Sequence, residues 1–126
     1  MSAFDPKRTF AKAMKPDIQP IDPLSQVVFV HDYLQLVFQD CGFTLYNQVT
    51  YSKGDAVLYQ NRPGFCDAVV SLIGQRARAE AGCTDLLLHF ASGAVVSIST
   101  SAEAGYGPEA WQFSRSDGLC AVEQNG

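Results

Sequence analysis

The sequence predicts one α+β domain. Two similar β-hairpins and a C-terminal strand pair are expected to form a mostly antiparallel curled sheet or small open barrel, packed on one central helix. Two stretches alternate apolar and polar residues with a period of two, and a glycine-containing turn follows each of them. An apolar stripe with helical spacing lies between these stretches. A length of 126 residues with 47% hydrophobic residues is typical of one globular domain with its own core.

The two hairpins resemble each other in sequence. Aligning Phe38 with Phe90 places the leucines at 34 and 36 on the leucines at 86 and 88. In each stretch these apolar residues alternate with others, as in a strand that buries one face. The turns at 40–42 and 92–93 follow, and both lead into return strands rich in β-branched and aromatic residues, at 43–48 and 94–99. Each stretch therefore predicts a β-hairpin.

Between the hairpins, the residues Phe65, Val69, Leu72 and Ile73 recur at i, i+4, i+7 and i+8. This spacing predicts a helix over about 63–73, which Gly74 is well placed to end. The segments 110–113 and 119–123 predict the final strand pair.

One helix of this length covers only part of a sheet with six or seven strands. The sheet could curl around the helix, or a second copy of the chain could cover the remaining apolar face in a symmetric homodimer. The dimer is the slightly preferred expectation.

The first 25 residues differ from the rest in composition. Four of the six prolines fall there, and proline interrupts both helices and strand ladders. Residues 1–25 are therefore expected to form an extended proline-rich tail, and residues 26–126 the single domain. The tail holds four cations and three acidic residues, whereas the remainder holds five cations and ten acidic residues. An acidic domain argues against nucleic-acid binding and suits a basic partner better.

No secretory signal and no apolar run long enough to cross a bilayer are visible. We therefore expect a cytoplasmic protein without membrane contact. Its four cysteines are then expected to be free thiols, mostly buried.

Motifs that bind metals or cofactors are missing from the sequence. There is no CxxC or HxxxH spacing, no phosphate-binding loop and no dinucleotide-binding fingerprint. We expect neither metal nor cofactor. Cys66 would stand in the first turn of the predicted helix, where a thiolate is favoured, but burial as a small apolar residue is the commoner role of cysteine.

The segment from Glu103 to Trp111 is the candidate binding site. It places Glu103, Tyr106, Glu109 and the only tryptophan around a Gly-Tyr-Gly-Pro turn. We expect a non-enzymatic domain that binds another protein through this segment and the adjoining sheet face. The alternative is a small-molecule or enzymatic site on the concave side of the sheet, with Glu103, Tyr106, Glu109 and His89 as its polar groups. A purely structural dimer subunit is the third possibility, and a turn with Trp111 in the core is the simplest role for the segment.

Part of the chain resembles small, functionally uncharacterised bacterial proteins. The resemblance covers about residues 72–113. It depends on a Leu-x-Gly segment at 72–74, a Phe-x-x-Gly hairpin at 90–93 and the Gly-Pro-Glu-Ala segment at 107–110. Some such small acidic proteins look like immunity proteins that neutralise a toxin. The resemblance implies a bacterial origin more than any activity, and a toxin-immunity-like or inhibitory role is one form that the expected interaction domain could take.

Overall fold

The computed structural model describes residues 17–100 and 108–125, which form ten strands and one helix. In chain order these elements are β1 Leu24–Phe29, β2 Leu34–Phe38, β3 Cys41–Leu45, β4 Val49–Lys53, β5 Ala56–Tyr59, α1 Phe65–Val70, β6 Ala77–Ala81, β7 Asp85–Phe90, β8 Val95–Ser99, β9 Glu109–Arg115 and β10 Cys120–Gln124.

The strands form two five-stranded sheets rather than one. Sheet I has the order β1-β2-β3-β9-β10 and sheet II the order β5-β4-β8-β7-β6, and all neighbouring strands are antiparallel. The prediction of mostly antiparallel structure is confirmed. The predicted α+β class and curled sheet agree only loosely with the structure, because the strands divide into two sheets that do not close into a barrel and only one short helix accompanies them.

The two sheets pack face to face around a shared core. In β2 and β7 every second residue is buried, as the period of two predicts. Phe38 of sheet I stacks on Phe90 of sheet II, with ring centroids 6.3 Å apart. The apolar faces of the sheets therefore cover each other, so the reason for expecting a second subunit no longer applies. The homodimer itself stays a prediction.

Each sheet combines three consecutive strands from one half of the chain with one hairpin from the other half. Strands β1 to β3 stay in sheet I and the hairpin β4–β5 crosses to sheet II, whereas β6 to β8 stay in sheet II and the hairpin β9–β10 crosses to sheet I. Phe43 of β3 lies opposite Phe113, and Val96 of β8 lies opposite Tyr51 in the corresponding way. The two predicted hairpins, β2–β3 and β7–β8, thus occupy equivalent places in the two halves of the chain.

The helix α1 is shorter than the predicted range of 63–73. It begins after Gly64, whose φ of 89° lies in the left-handed region, and it ends at Val70. After Val70 the hydrogen bonding follows a 3₁₀ pattern, because the amides of Leu72 and Ile73 donate to carbonyls only three residues back. Phe65, Val69 and Leu72 of the predicted apolar stripe are buried, whereas its fourth residue, Ile73, is 44% exposed.

Part of the proline-rich region is attached to the body. Residues 1–16 lie outside the described residues, but residues 17–23, here named the docked segment, precede β1. The Gln19 side chain bonds both the amide (2.8 Å) and the carbonyl oxygen (2.7 Å) of Ala79 in β6. The Asp40 carboxylate accepts bonds from the amides of Ile21 (2.9 Å) and Asp22 (3.0 Å). Polar side chains thus make the backbone hydrogen bonds along this segment that a neighbouring strand would make in a sheet.

Candidate functional site

Of the five residues proposed from the sequence, the three that the structure describes do not form one cluster. Glu103 and Tyr106 lie outside the described residues. Glu109 begins β9 in sheet I and is half-buried, whereas Trp111 is buried and His89 lies in β7 of sheet II.

Trp111 is a core residue. Its side chain is only 4% exposed, and its ring centroid lies 6.4 Å from that of Phe43. The indole Nε1 is buried and has no hydrogen-bond partner among the described residues. The structure therefore does not offer the Trp111 ring as contact area for a partner.

His89 points away from sheet I. Its neighbours Leu88 and Phe90 are buried in the core, so the alternation of the strand turns His89 to the outer face of sheet II. There its Nε2 lies 2.9 Å from Oε1 of Glu80 on the edge strand β6. His89 and Glu109 thus belong to different sheets, and the structure does not bring them together.

The outer face of sheet I has an unusual composition. Cross-strand pairing places ten outward residues in two rows that each span all five strands. All ten are half-buried or exposed, and none carries a charge. We name this surface the uncharged face; its residues are Val28, Gln35, Thr44, Gln112 and Val122 in one row, and Gln26, Val37, Gly42, Ser114 and Cys120 in the other.

A shallow depression of about 340 Å³ lies on this face. Gln35, Val37, Thr44 and Ser114 line it around Gly42, and the Asp40–Arg115 ion pair described below lines it as well. A Cβ atom added to Gly42 would meet only a backbone oxygen, at 3.7 Å. The depression therefore exists partly because a residue without a side chain stands in the middle strand.

Two tyrosines lie beside the uncharged face. The ring centroids of Tyr33 and Tyr46 are 5.6 Å apart, in an edge-on arrangement, and the Tyr46 hydroxyl donates to Oε1 of Gln112 at 3.1 Å. Burial and the nearby charge of Glu109 raise the pKa of Tyr46, so its hydroxyl stays protonated and available as a donor. Among the predicted site residues that lie within the described part of the chain, Glu109 is the one near this surface.

An ion pair lies in the part of sheet I that carries the docked segment. Nη1 of Arg115 is 3.7 Å from Oδ2 of Asp40, and the two side chains are 13% and 14% exposed. The guanidinium also donates to the backbone oxygens of Gln19 and Asp17 and lies 5.1 Å above the Phe113 ring centroid. Arg115 is thus held by internal partners.

The cysteines are all free, but the prediction that they are mostly buried is wrong. Only Cys41 is buried, and burial raises the pKa of its thiol to about 12, which makes it unreactive. The exposed ones stand on the outer side of α1, in the β6–β7 turn and on the uncharged face: Cys66, Cys83 and Cys120. Within residues 17–100 and 108–125, no three His, Cys, Asp or Glu side chains lie together as a metal site.

Comparison with protein-family models, with curated proteins and with solved structures found no match to the chain. The resemblance to small bacterial proteins therefore stays a prediction. No helix in the described part of the chain has the length and apolar composition required to cross a membrane.

Proposed function

We propose that the chain is a non-enzymatic protein-interaction domain that binds a protein partner through the uncharged face. The observation that carries the proposal is the absence of charge at all ten positions of that face. A typical protein surface has about 25–35% charged residues, so about three would be expected among ten. The matching rows on the outer face of sheet II do include two charged residues, Arg78 and Glu80. Interface centres are depleted of charged residues in the same manner.

The size of the face supports a transient interaction. Five strands about 4.8 Å apart and five residues of about 3.4 Å rise give a surface of about 400 Å². A stable complex buries about 800 Å² on each partner. We therefore expect fast, reversible binding unless neighbouring residues such as Glu109 enlarge the contact.

The chemistry of the face suits a protein partner. The depression over Gly42 can receive one partner side chain, and a filled central pocket is the usual place of a binding hot spot. Around it, the Gln35 amide donates to the Thr44 hydroxyl and the Gln112 amide accepts from Tyr46. These amides and the hydroxyls of Thr44 and Ser114 have further donor and acceptor capacity for a partner. These groups recognise backbone and uncharged side chains without the cost of desolvating an ion.

The alternative, a small-molecule or enzymatic site with Glu103, Tyr106, Glu109 and His89 on a concave sheet face, has less support. The inner faces of both sheets are filled by core side chains, and His89 lies on the outer face of sheet II. A toxin-immunity-like or inhibitory role in a bacterium belongs to the proposal as its most specific form. Four free thiols favour a reducing compartment, in keeping with a cytoplasmic location.

The substitution Gly42→Val tests the proposal. Gly42 does not adopt the left-handed conformation, and a Cβ atom meets no clash there, so a β-branched residue suits this strand position. We expect an unchanged or higher melting temperature together with loss of partner binding, because valine fills the depression. Ser97→Val, on the outer face of sheet II, is the matched control.

The measurement is a quantitative pull-down with the wild type and the two variants. The proposal predicts a protein recovered by wild type and by Ser97→Val but at least about tenfold less by Gly42→Val, as for loss of a hot-spot contact. Equal recovery of every bound protein by all three would remove the uncharged face as the binding surface, as would a wild type that recovers nothing specifically.

A further inference from the structure

The charge of the chain is divided unequally between its two sheets. The segments that build sheet I, residues 17–48 and 108–125, hold seven acidic residues and one cation, a formal charge of −6. Residues 49–100, which build sheet II and α1, hold four acidic and four basic residues and are neutral. The uncharged face thus lies in the acidic part of the molecule.

The single cation of the sheet I segments does not offset this charge at the surface. Arg115 is 13% exposed, and its guanidinium is engaged by Asp40 and by two backbone oxygens. Acidic residues, in contrast, stand in the connections and strand ends around the sheet. Asp32, in the β1–β2 connection, has a side chain that is 81% exposed, and Glu123 of the edge strand β10 is exposed as well.

We propose that the partner is a basic protein, whose contact surface has an uncharged centre surrounded by lysine and arginine side chains. This inference rests on the proposed function, since it takes the uncharged face as the point of contact. The charge also decides against two other occupants. A second copy would bring the acidic segments around sheet I against the same segments, and nucleic acid would bring phosphates against them.

The expected gain from this arrangement lies in the rate of association. A protein surface with one sign of charge steers an oppositely charged partner and raises the association rate by about 10-fold or more at low salt. A small contact area benefits most, because weak complexes have short lifetimes and depend on frequent encounters. Salt should therefore weaken binding mainly by slowing association.

A random-peptide library displayed on phage tests the inference on the intact chain. The library is selected against wild type, and every enriched peptide is then measured against wild type, Gly42→Val and Ser97→Val. We expect enriched peptides to be more positively charged than the unselected library and to lose binding only with Gly42→Val. Their association rate should fall about tenfold between about 50 mM and about 300 mM NaCl.

Charge-removing variants provide the second measurement. Asp32→Asn combined with Glu123→Gln removes two exposed charges from the sheet I segments and keeps the shape of both side chains. The expected result is an association rate about fourfold lower at low salt. Asp55→Asn combined with Asp67→Asn removes two charges from the neutral sheet II segments and should leave the rate unchanged.

The outcomes separate the two proposals. Peptides that bind the uncharged face but show no positive bias, or whose binding is insensitive to salt, would overturn the basic partner and leave the interaction domain standing. Peptides that bind Gly42→Val as well as wild type would overturn the interaction surface itself.

Discussion

Replacing Asp40 should release the docked segment from the body of the protein. The carboxylate accepts hydrogen bonds from the amides of Ile21 and Asp22 and lies within 3.7 Å of the Arg115 guanidinium. A hydrogen bond to a charged group contributes about 1.5–3 kcal/mol, and partial solvent access at this site favours the lower end. We expect Asp40→Ala to lower the free energy of unfolding by about 2–4 kcal/mol, since both amides lose their acceptor.

The stabilisation by the Asp40 carboxylate should also depend on pH, in a direction that follows from its pKa. Partial burial opposes ionisation of Asp40, but the backbone amides and Arg115 outweigh it and lower the pKa of the carboxyl below its ordinary value of 3.8. Because the folded state binds the proton less readily than the unfolded state, the stabilisation is complete above pH 3.8 and is lost as the pH falls through the folded-state pKa. The difference in stability between wild type and Asp40→Asn should therefore shrink as the pH is lowered below that value.

Urea unfolding followed by circular dichroism measures both effects. Asp55→Ala, in the exposed turn between β4 and β5, is the control and should change stability by no more than about 0.5 kcal/mol. A loss below about 1 kcal/mol for Asp40→Ala at neutral pH would refute the reasoning, since two charged hydrogen bonds cannot then be contributing. A deficit of Asp40→Asn that persisted undiminished in acid would refute the electrostatic part.

Two further predictions concern the core. In the native protein a thiol reagent such as DTNB should modify three cysteines. Cys41 should react only after unfolding, because it is buried and the pKa of its thiol is raised to about 12. Four thiols that react equally fast in the native protein would contradict this. Asn47→Ala should lower the free energy of unfolding by about 1–3 kcal/mol, because the buried amide bonds the carbonyl oxygen of Ser99 and the side chain of Asn125. An unfolding midpoint equal to that of wild type would show that water replaces both partners.

The local structure could be predicted from the sequence, but the assembly of the strands could not. The period of two around Phe38 and Phe90 identified both hairpins, because alternation states which face of a strand is buried. It does not state what covers that face. A cover by the helix or by a second subunit was expected, whereas the covering surface is the other sheet of the same chain. The pairing of β3 with β9 joins residues far apart in sequence, and no local pattern marks such pairs.

The candidate site was missed for a related reason. The sequence points to Glu103, Tyr106, Glu109, Trp111 and His89 because carboxylates, imidazole and aromatic rings are the usual groups of functional sites. The uncharged face has none of these signals and is spread over five separate strands. One local sign was available, since the residues that alternate with the buried leucines of β2, Gln35 and Val37, are uncharged. Only the cross-strand register shows that all five strands repeat this feature.

The exchange of hairpins also affects the order in which the protein can form during synthesis. When the ribosome has produced β1 to β5, β3 still has no β9 and β4 still has no β8 beside it. Unpaired edges of this kind invite association with other chains, so the nascent N-terminal half is the stage most exposed to aggregation. Folding must wait until the second half has emerged, and it then depends on contacts distant in sequence, which form slowly. A chain that stops before β9 lacks neighbours in sheet I, and a chain that stops before β8 lacks neighbours in both sheets.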